Sequence, residues 1–372
     1  MAIAPSSGAD RDSGNFALIE TLRRWGITFF SGVNGGGVIH VTKHLEPFTD
    51  LSQATDGIPR MLTMSEYVSG FVPVGYYLAS GRIAASITTT GAATKLGSSG
   101  ITEAKLHNIP AVYIIALNST ISIGLAPLQD VSEYGMNVVP QLQAELGDGC
   151  FVIDNINNFE DQLRRAQEVL SESRPVAFAF HPDILSKSVE PDVPKVEPAR
   201  EVNKADLEEF LEKFPRMATK RRVIIYVGEE AARCEKIQTL TTQFSELLQA
   251  PTVWSVNGAN AVSPENRYGF GYILFGGNDR AFELWTKMNQ DDILITLGFD
   301  AGEYSMNLGK IPARFVWHFT NLKEPYGHKN GEFKHRVAGE YQQVRGDIGL
   351  ALSELIPRQR PPARILSAVV GR

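Results

Sequence analysis

Apolar positions along this chain fall into two recurring patterns. One is amphipathic at helical spacing, as in "NFALIETLRRWG" (15–26) and "NFEDQLRRAQEVLSES" (158–173). The other is a short, nearly unbroken apolar run, as in "ITFFSG" (27–32), "IAASITTT" (83–90), "AVYIIAL" (111–117) and "PVAFAF" (175–180). Runs of the second kind belong to strands covered on both faces, the kind that fills parallel sheets. Between them, 66–80 predicts a mostly apolar helix and 96–107 another. Strand and helix therefore alternate, which implies a parallel sheet with helices on both sides.

The pattern breaks at "SKSVEPDVPKVEPAREVNKAD" (186–206), a stretch with three prolines, many charges and almost no large apolar side chains. That composition predicts a semi-rigid linker. The alternation then resumes, with strands at 222–228, 251–256, 292–298 and 313–319 and helices at 230–249, 278–289 and 347–356. The expected class is α/β, with two doubly wound parallel-sheet domains. They span 15–185 and 207–372, preceded by a loose arm at 1–14 and joined by the linker at 186–206. A length of 372 residues suits two domains of about 150–200 residues each.

Composition narrows the classes of partner. The formal net charge is −6, and Lys and Arg are scattered instead of forming a stripe, so no nucleic-acid partner is expected. No uncharged apolar run approaches the roughly 20 residues that a bilayer span needs, so no membrane partner is expected. The polar start, "MAIAPSSGADRDSGN", has neither a basic region nor an apolar core behind it and does not read as a secretion signal. The two cysteines, Cys150 and Cys234, fall in different expected domains and read as reduced thiols, so a cytoplasmic location is expected.

The candidate chemistry centres on Glu66. It heads a segment that carries no other charge until Arg82. An acid in apolar surroundings is costly unless its charge or its proton is used, although an acid that merely opens a helix is also favoured there. Other groups carry less. Gly147-Asp148-Gly149 and Asn157-Asn158 resemble a metal-binding pair of motifs, but Asn157 follows Gly149 by only eight positions, so the first reads as a turn feeding a strand at Cys150 and no metal ligand is assigned. His107 reads as a helix-end residue satisfied by backbone. His40 and His44 stand four apart on a helix surface without a third ligand. "VNGGG" (33–37) lacks the G-x-G-x-x-G spacing of a dinucleotide loop.

Four blocks taken together resemble thiamine-diphosphate enzymes of the acetolactate synthase and pyruvate oxidase type. "GITFFSGVNGGG" (26–37) is similar to the family's G-V-x-x-V-F-G-x-P-G-G block. Glu66 with "GYYLASGR" (75–82) is similar to its E-x-x-A…G-Y-A-R-x-T-G block. "TTTGAATKLGSSGITEAKLHNIPAVYIIA" (88–116) is similar to T-S-G-P-G-A-T-N…D-x-x-P-V, and "GLAPLQD" (124–130) to its F-Q-E stretch. The resemblance implies a pyrimidine-binding domain followed by a Rossmann-like middle domain. It also implies that Glu66 is the catalytic acid that activates the cofactor's aminopyrimidine, with Val33, Asn34, Glu66, Gly91, Ala92 and Gln129 binding the cofactor. The reaction implied is decarboxylation of a pyruvate-like 2-oxo acid and ligation of the two-carbon unit to a carbonyl acceptor. A two-subunit 2-oxo acid decarboxylase or a non-catalytic regulatory paralogue is the alternative, the latter suggested by Ala92, Ala93 and Leu96 standing where the family has Pro, Gly and Asn. The family's diphosphate-binding motif is not found in this sequence. The resemblance therefore implies a separate subunit that holds Mg²⁺ and the diphosphate, in a heterodimer or an α2β2 assembly. FAD is not expected, because Gly298-Phe299-Asp300-Ala301-Gly302 lacks the arginine that FAD-binding relatives carry.

Overall fold

A strand that is apolar at every position needs cover on both faces, and the first sheet is built that way. The computed structural model describes residues 11–196, 200–273, 276–299, 302–306, 309–323 and 334–358. The chain divides into two units, Met1–Pro198 and Ala199–Arg372.

The first unit holds strands β1 (Phe29–Gly32), β2 (Glu46–Pro47), β3 (Arg60–Thr63), β4 (Ala85–Thr88), β5 (Val112–Ala116), β6 (Cys150–Ile153) and β7 (Val176–Phe180). They form one sheet in the order β2-β3-β1-β4-β5-β7-β6, and every ladder is parallel. Its main helices are α1 (Gly14–Arg24), α2 (Glu66–Ser80), α3 (Ala92–Leu106), α4 (Val138–Leu146) and α5 (Phe159–Ser171). Side chains alternate across β5. Val112, Ile114 and Ala116 join a core with Leu18 and Leu22 of α1 and Phe159 and Leu163 of α5. Tyr113 and Ile115 join the opposite core with Ile101 and Ala104 of α3 and Leu142 and Leu146 of α4. The two-residue period of the strand thus serves two helix layers at once. The proline-rich stretch contributes as well: Val193 is buried in the first core, Val189 packs against it, and Trp25 Nε1 donates to Val193 O at 3.1 Å.

The second unit repeats the plan with β8 (Arg222–Val227), β9 (Thr252–Trp254), β10 (Gly269–Tyr272), β11 (Asp292–Leu297), β12 (Phe315–Thr320) and β13 (Glu340–Arg345), ordered β10-β9-β8-β11-β12-β13 and parallel throughout. Helices α6 (Lys204–Ala218), α7 (Ile237–Leu248) and α9 (Ile348–Arg358) share one core with the sheet, and α8 (Asp279–Thr286) packs in the other. Phe210 anchors the first of these, stacked on Phe214 at 4.8 Å and edge-on to Trp317 and Phe319 at 5.0 and 5.2 Å. Each such fully buried ring contributes roughly 1.5–3 kcal/mol through removal from water.

The architecture is the α/β class expected, two doubly wound parallel sheets. Individual elements depart from the apolar pattern. The stretch expected as a helix at 230–249 is a 3₁₀ turn at Glu230–Arg233 and then α7, with Lys236 in the left-handed region (φ 54°) between them. The helix expected to start at 96 begins at Ala92. The edge strands β2, β10 and β13, the inner strand β3 and helix α4 carry too little apolar contrast to stand out in the sequence, whereas α6 went unassigned although Leu207, Phe210 and Phe214 recur at helical spacing. Residues 1–10 of the expected arm, 197–199 of the expected linker and 359–372 of the second expected domain lie outside the described residues.

In the second unit a carboxylate is sealed where β8 ends. Glu230 accepts from Thr320 Oγ1 at 2.7 Å and from Asn321 N at 2.6 Å, which ties the end of β8 to the end of β12. Burial pushes its pKa above the usual carboxylate value of 4.5, against those hydrogen bonds and the nearby Arg233 charge. A raised folded-state pKa contributes stability below about pH 4.5 and loses it as pH rises through the raised value. Glu230→Gln removes that loss. The variant is therefore expected to gain melting temperature over the parent as pH increases from about 4 to about 8, at roughly 2–4 °C per kcal/mol. A parent–variant difference that stays flat across that range in thermal melts would contradict the assignment.

Candidate functional site

In open parallel sheets ligands collect at the carboxyl ends of the strands, where the strand order reverses. In the first sheet that place is β1, flanked by β3 on one side and β4 on the other. The residues picked out in the sequence follow the strands there. Val33 and Asn34 come directly after β1, Glu66 after β3, Gly91 and Ala92 after β4, and Gln129 in the loop after β5. Because every ladder is parallel, all of these segments leave from the same edge of the sheet.

Glu66 is the first residue of α2, behind Ser65, and is half-buried. Its carboxylate makes no hydrogen bond or ion pair with any described residue. What fixes it in place is the helix it heads. Pro73 lies inside α2, and proline has no N–H to give the carbonyl four residues back. That carbonyl belongs to Ser69, and Ser31 Oγ of β1 donates to it at 3.0 Å instead. The Ser69 hydroxyl donates to Glu66 O at 3.0 Å and lies 3.3 Å from Ser86 Oγ of β4. Three serines thereby tie the first turn of α2 to both strands of the reversal point.

Helix α2 also lies directly on α3. A Cβ on Gly100 would overlap the backbone of Gly70, and one on Gly70 would overlap the Gly97 carbonyl. Tyr113 Oη of β5 stands 2.7 Å from Gly100 O and 3.2 Å from Gly70 O, where it donates to the crossing helices. Burial pushes its phenol well above the ordinary tyrosine range, so it stays a donor.

The glycine at the head of α3 has a different constraint. Gly91 has φ +80°, and a Cβ there would come within 2.7 Å of Gln129 Oε1. Gln129, itself left-handed at φ +55°, therefore lies over Gly91. Its loop is pinned through Asn118, whose Oδ1 accepts from Val131 N at 2.8 Å and whose carbonyl accepts from His181 Nδ1 at 2.6 Å, and through Thr120 N, which donates to Asp183 Oδ1 at 2.9 Å. The 33–37 loop joins the same turn, because Gly37 N donates to Thr89 Oγ1 at 3.3 Å and Asn34 Oδ1 accepts from Thr42 Oγ1. The structure thus brings Gly91 against Gln129 and links the 33–37 loop to the β4–α3 turn, while Glu66 is held through α2. Ala92 is exposed.

The remaining candidates fall elsewhere. Gly147–Gly149 is a 3₁₀ turn entering β6, and the Arg174 guanidinium beside Asp148 holds that carboxyl below the usual carboxylate range. His107 caps α3, with Nε2 3.1 Å from Glu103 Oε1. His44 meets the Phe16 ring edge-on, and His40 is exposed. Asp300 and Ala301, within the stretch weighed against FAD, lie outside the described residues. Among the described residues no group of three or more His, Cys, Asp or Glu side chains could hold a metal ion. The serine triad and Tyr113 were missed in the sequence. The signal for the serines was a proline inside an apolar helix, which leaves one carbonyl in search of a donor.

If Ser31 stands in for the missing N–H, Ser31→Ala leaves a buried carbonyl unpaired and costs roughly 1–3 kcal/mol. Adding Pro73→Ala restores an N–H at the right place, so the double variant is expected to recover most of the loss in a denaturation cycle. Strict additivity of the two substitutions would sink this account.

Parts of the chain are similar to known proteins. Residues 12–137 match the family described as thiamine pyrophosphate enzyme, N-terminal TPP binding domain. The chain is 22% identical to the acetolactate synthase large subunit of Haemophilus influenzae over 300 residues, covering 77% of this chain and 48% of that protein. It is likewise 22% identical to acetolactate synthase isozyme 2 large subunit of Escherichia coli K12 over 285 residues, covering 76% of this chain and 48% of that one. The chain thus spans about half the length of the curated relatives it matches. A solved structure of a putative thiamin diphosphate-dependent enzyme from Mycobacterium smegmatis superposes with a TM-score of 0.70 at 15% identity, over 95% of this chain and 64% of the other. That likeness shows the fold.

Proposed function

Because the first unit carries the N-terminal TPP binding domain of the thiamine pyrophosphate enzymes, we propose that this chain is the pyrimidine-binding subunit of an acetolactate synthase-like enzyme. In this reading it decarboxylates a pyruvate-like 2-oxo acid and joins the two-carbon unit to a carbonyl acceptor, in the cytoplasm. The observation that carries it is the half-buried Glu66 carboxylate, left unengaged by every described residue at the reversal point of a parallel sheet.

The residues present fit thiamine diphosphate. When bound, the cofactor supplies a nucleophilic carbon and an electron sink for decarboxylation. Glu66 holds a proton at a carboxyl oxygen and shares it with the aminopyrimidine, a coupling that low-dielectric surroundings strengthen. Gly91 and Ala92 put no bulky side chain beside the ring. Val33 and Asn34 bound the site from β1, and Gln129 closes it over Gly91.

In the same reading a separate subunit holds the diphosphate and Mg²⁺, giving a heterodimer or an α2β2 assembly. Two facts support that part. The acid of the Gly-Asp-Gly turn is engaged with Arg174. The outer faces of α2 and α3 expose Tyr67, Val68, Leu78 and Leu96 by about half each (54%, 50%, 51% and 49%), an apolar patch of the sort that polypeptide partners cover. FAD stays outside the proposal.

The test is to purify the tagged chain with whatever subunit accompanies it and to follow CO₂ release from pyruvate with thiamine diphosphate and Mg²⁺ present. Glu66→Gln is expected to lower turnover by roughly 10²–10⁴-fold, the usual span for a lost acid–base group, because an amide cannot pass the proton on. Unchanged turnover would remove the role given to Glu66. Full turnover by this chain alone would remove the separate subunit, and free aldehyde as the sole product would favour the decarboxylase alternative.

A further inference from the structure

We propose that a cleft at the opposite, amino-terminal edge of the second sheet binds a small phosphate-bearing anion. The cleft has a volume of about 600 Å³ and lies among the end of α6, the start of β12 and the start of β13, lined by Lys213, Arg221, Arg314, Lys334, Glu340 and Tyr341 among others. Four of these six side chains are cationic and one is acidic, within a chain whose net charge is −6. Such segregation of sign in a concave site raises the local concentration of an oppositely charged ligand.

The cations differ in how far they are already committed. Lys213 is ion-paired with Glu209, and Arg221 Nη1 donates to the Met217 carbonyl at 3.1 Å. Arg314 and Lys334 are exposed, and neither side chain has a partner among the described residues. These two cations, unpartnered among the described residues, both line the space, with the half-buried Arg221 beside them. A monoanion would leave one of the two unmatched. A phosphate ester or diphosphate presents at least two charges and several acceptor oxygens, which matches both guanidinium and ammonium donors. The backbone around them is fixed independently of those side chains, since Arg314 N donates to Asp292 O at 2.9 Å and Glu340 N to Arg314 O at 3.0 Å. Substitution at Arg314 or Lys334 therefore leaves the fold in place.

Inorganic pyrophosphate and ADP, titrated calorimetrically into the full chain at low and at physiological salt, are the probes. Saturable binding that weakens with salt is expected. The double charge reversal Arg314→Glu/Lys334→Glu is expected to weaken it on the order of tenfold or more, whereas Lys204→Glu, an exposed reversal outside the cleft lining, leaves it nearly unchanged. The proposal is overturned if neither probe binds, if binding survives the double reversal, or if Lys204→Glu weakens it equally. Unchanged circular dichroism and melting of the variants guard against loss of fold as the cause.

Discussion

Everything at the first unit's candidate site depends on two helices touching backbone to backbone. Helices α2 and α3 meet at Gly70, Gly97 and Gly100, and the crossing leaves no room for a methyl group on Gly70 or Gly100. Close approach of this kind exchanges side-chain packing for precision. The helix that begins with Glu66 cannot slide along the one that begins beside Gly91 without driving atoms together. Tyr113 reinforces the crossing from the sheet below, because its buried hydroxyl sits within hydrogen-bond reach of a carbonyl on each helix. In the proposed reading a rigid crossing matters because a carboxylate that shares a proton works only if its position is set before the ligand arrives.

Proline adds a second constraint to the same helix. Within an apolar helix it opens the hydrogen-bond ladder at one carbonyl, and an open buried carbonyl must find a donor. Here the donor comes from β1, the strand at which the sheet order reverses. A local defect in the helix is thereby turned into a tertiary tie between that helix and the sheet edge where the candidate residues gather. The backbone at Glu66 is held by serines that are themselves buried.

How much of this could be read from the sequence follows from which forces act locally. The strands "AVYIIAL" and "PVAFAF" announced themselves because double-sided burial leaves no polar position, and the α/β class followed from their alternation with helices. Strands β3 ("RMLT") and β13 ("EYQQVR") did not, because they lie toward the margins of their sheets, where one-sided or partial cover allows polar residues. Lys236 broke the helix expected across 230–249 by adopting a left-handed conformation that nothing in its side chain advertises. At the site, Glu66 was legible as a lone acid in an apolar segment, and Gly91 only through the resemblance of the 88–116 block to T-S-G-P-G-A-T-N. The contact of Gln129 with Gly91 was not, since it joins residues 38 apart through a loop whose shape is set by Asn118, His181 and Asp183. Serines 31, 69 and 86 looked like ordinary polar interruptions, because their importance arises only when three separate elements converge.

The two units make the same topological choice and put it to different use. Each sheet reverses its strand order at its first strand, β1 in one and β8 in the other, and each has an acid after the carboxyl end of a strand at that reversal. In the second unit the acid, Glu230, accepts hydrogen bonds from Thr320 and Asn321 and closes the gap over β11. Both of its oxygens are engaged in holding strand ends together, and the side chain is buried away from any ligand outside. In the first unit the Glu66 carboxylate accepts nothing from any described residue, while the helix behind it is locked by serines, glycines and a tyrosine. A fold pattern alone therefore does not make a site. What separates a clamp from an unengaged carboxylate is whether the neighbouring strand ends offer hydroxyls and amides to it, as β12 does, or to its helix, as β1 and β4 do.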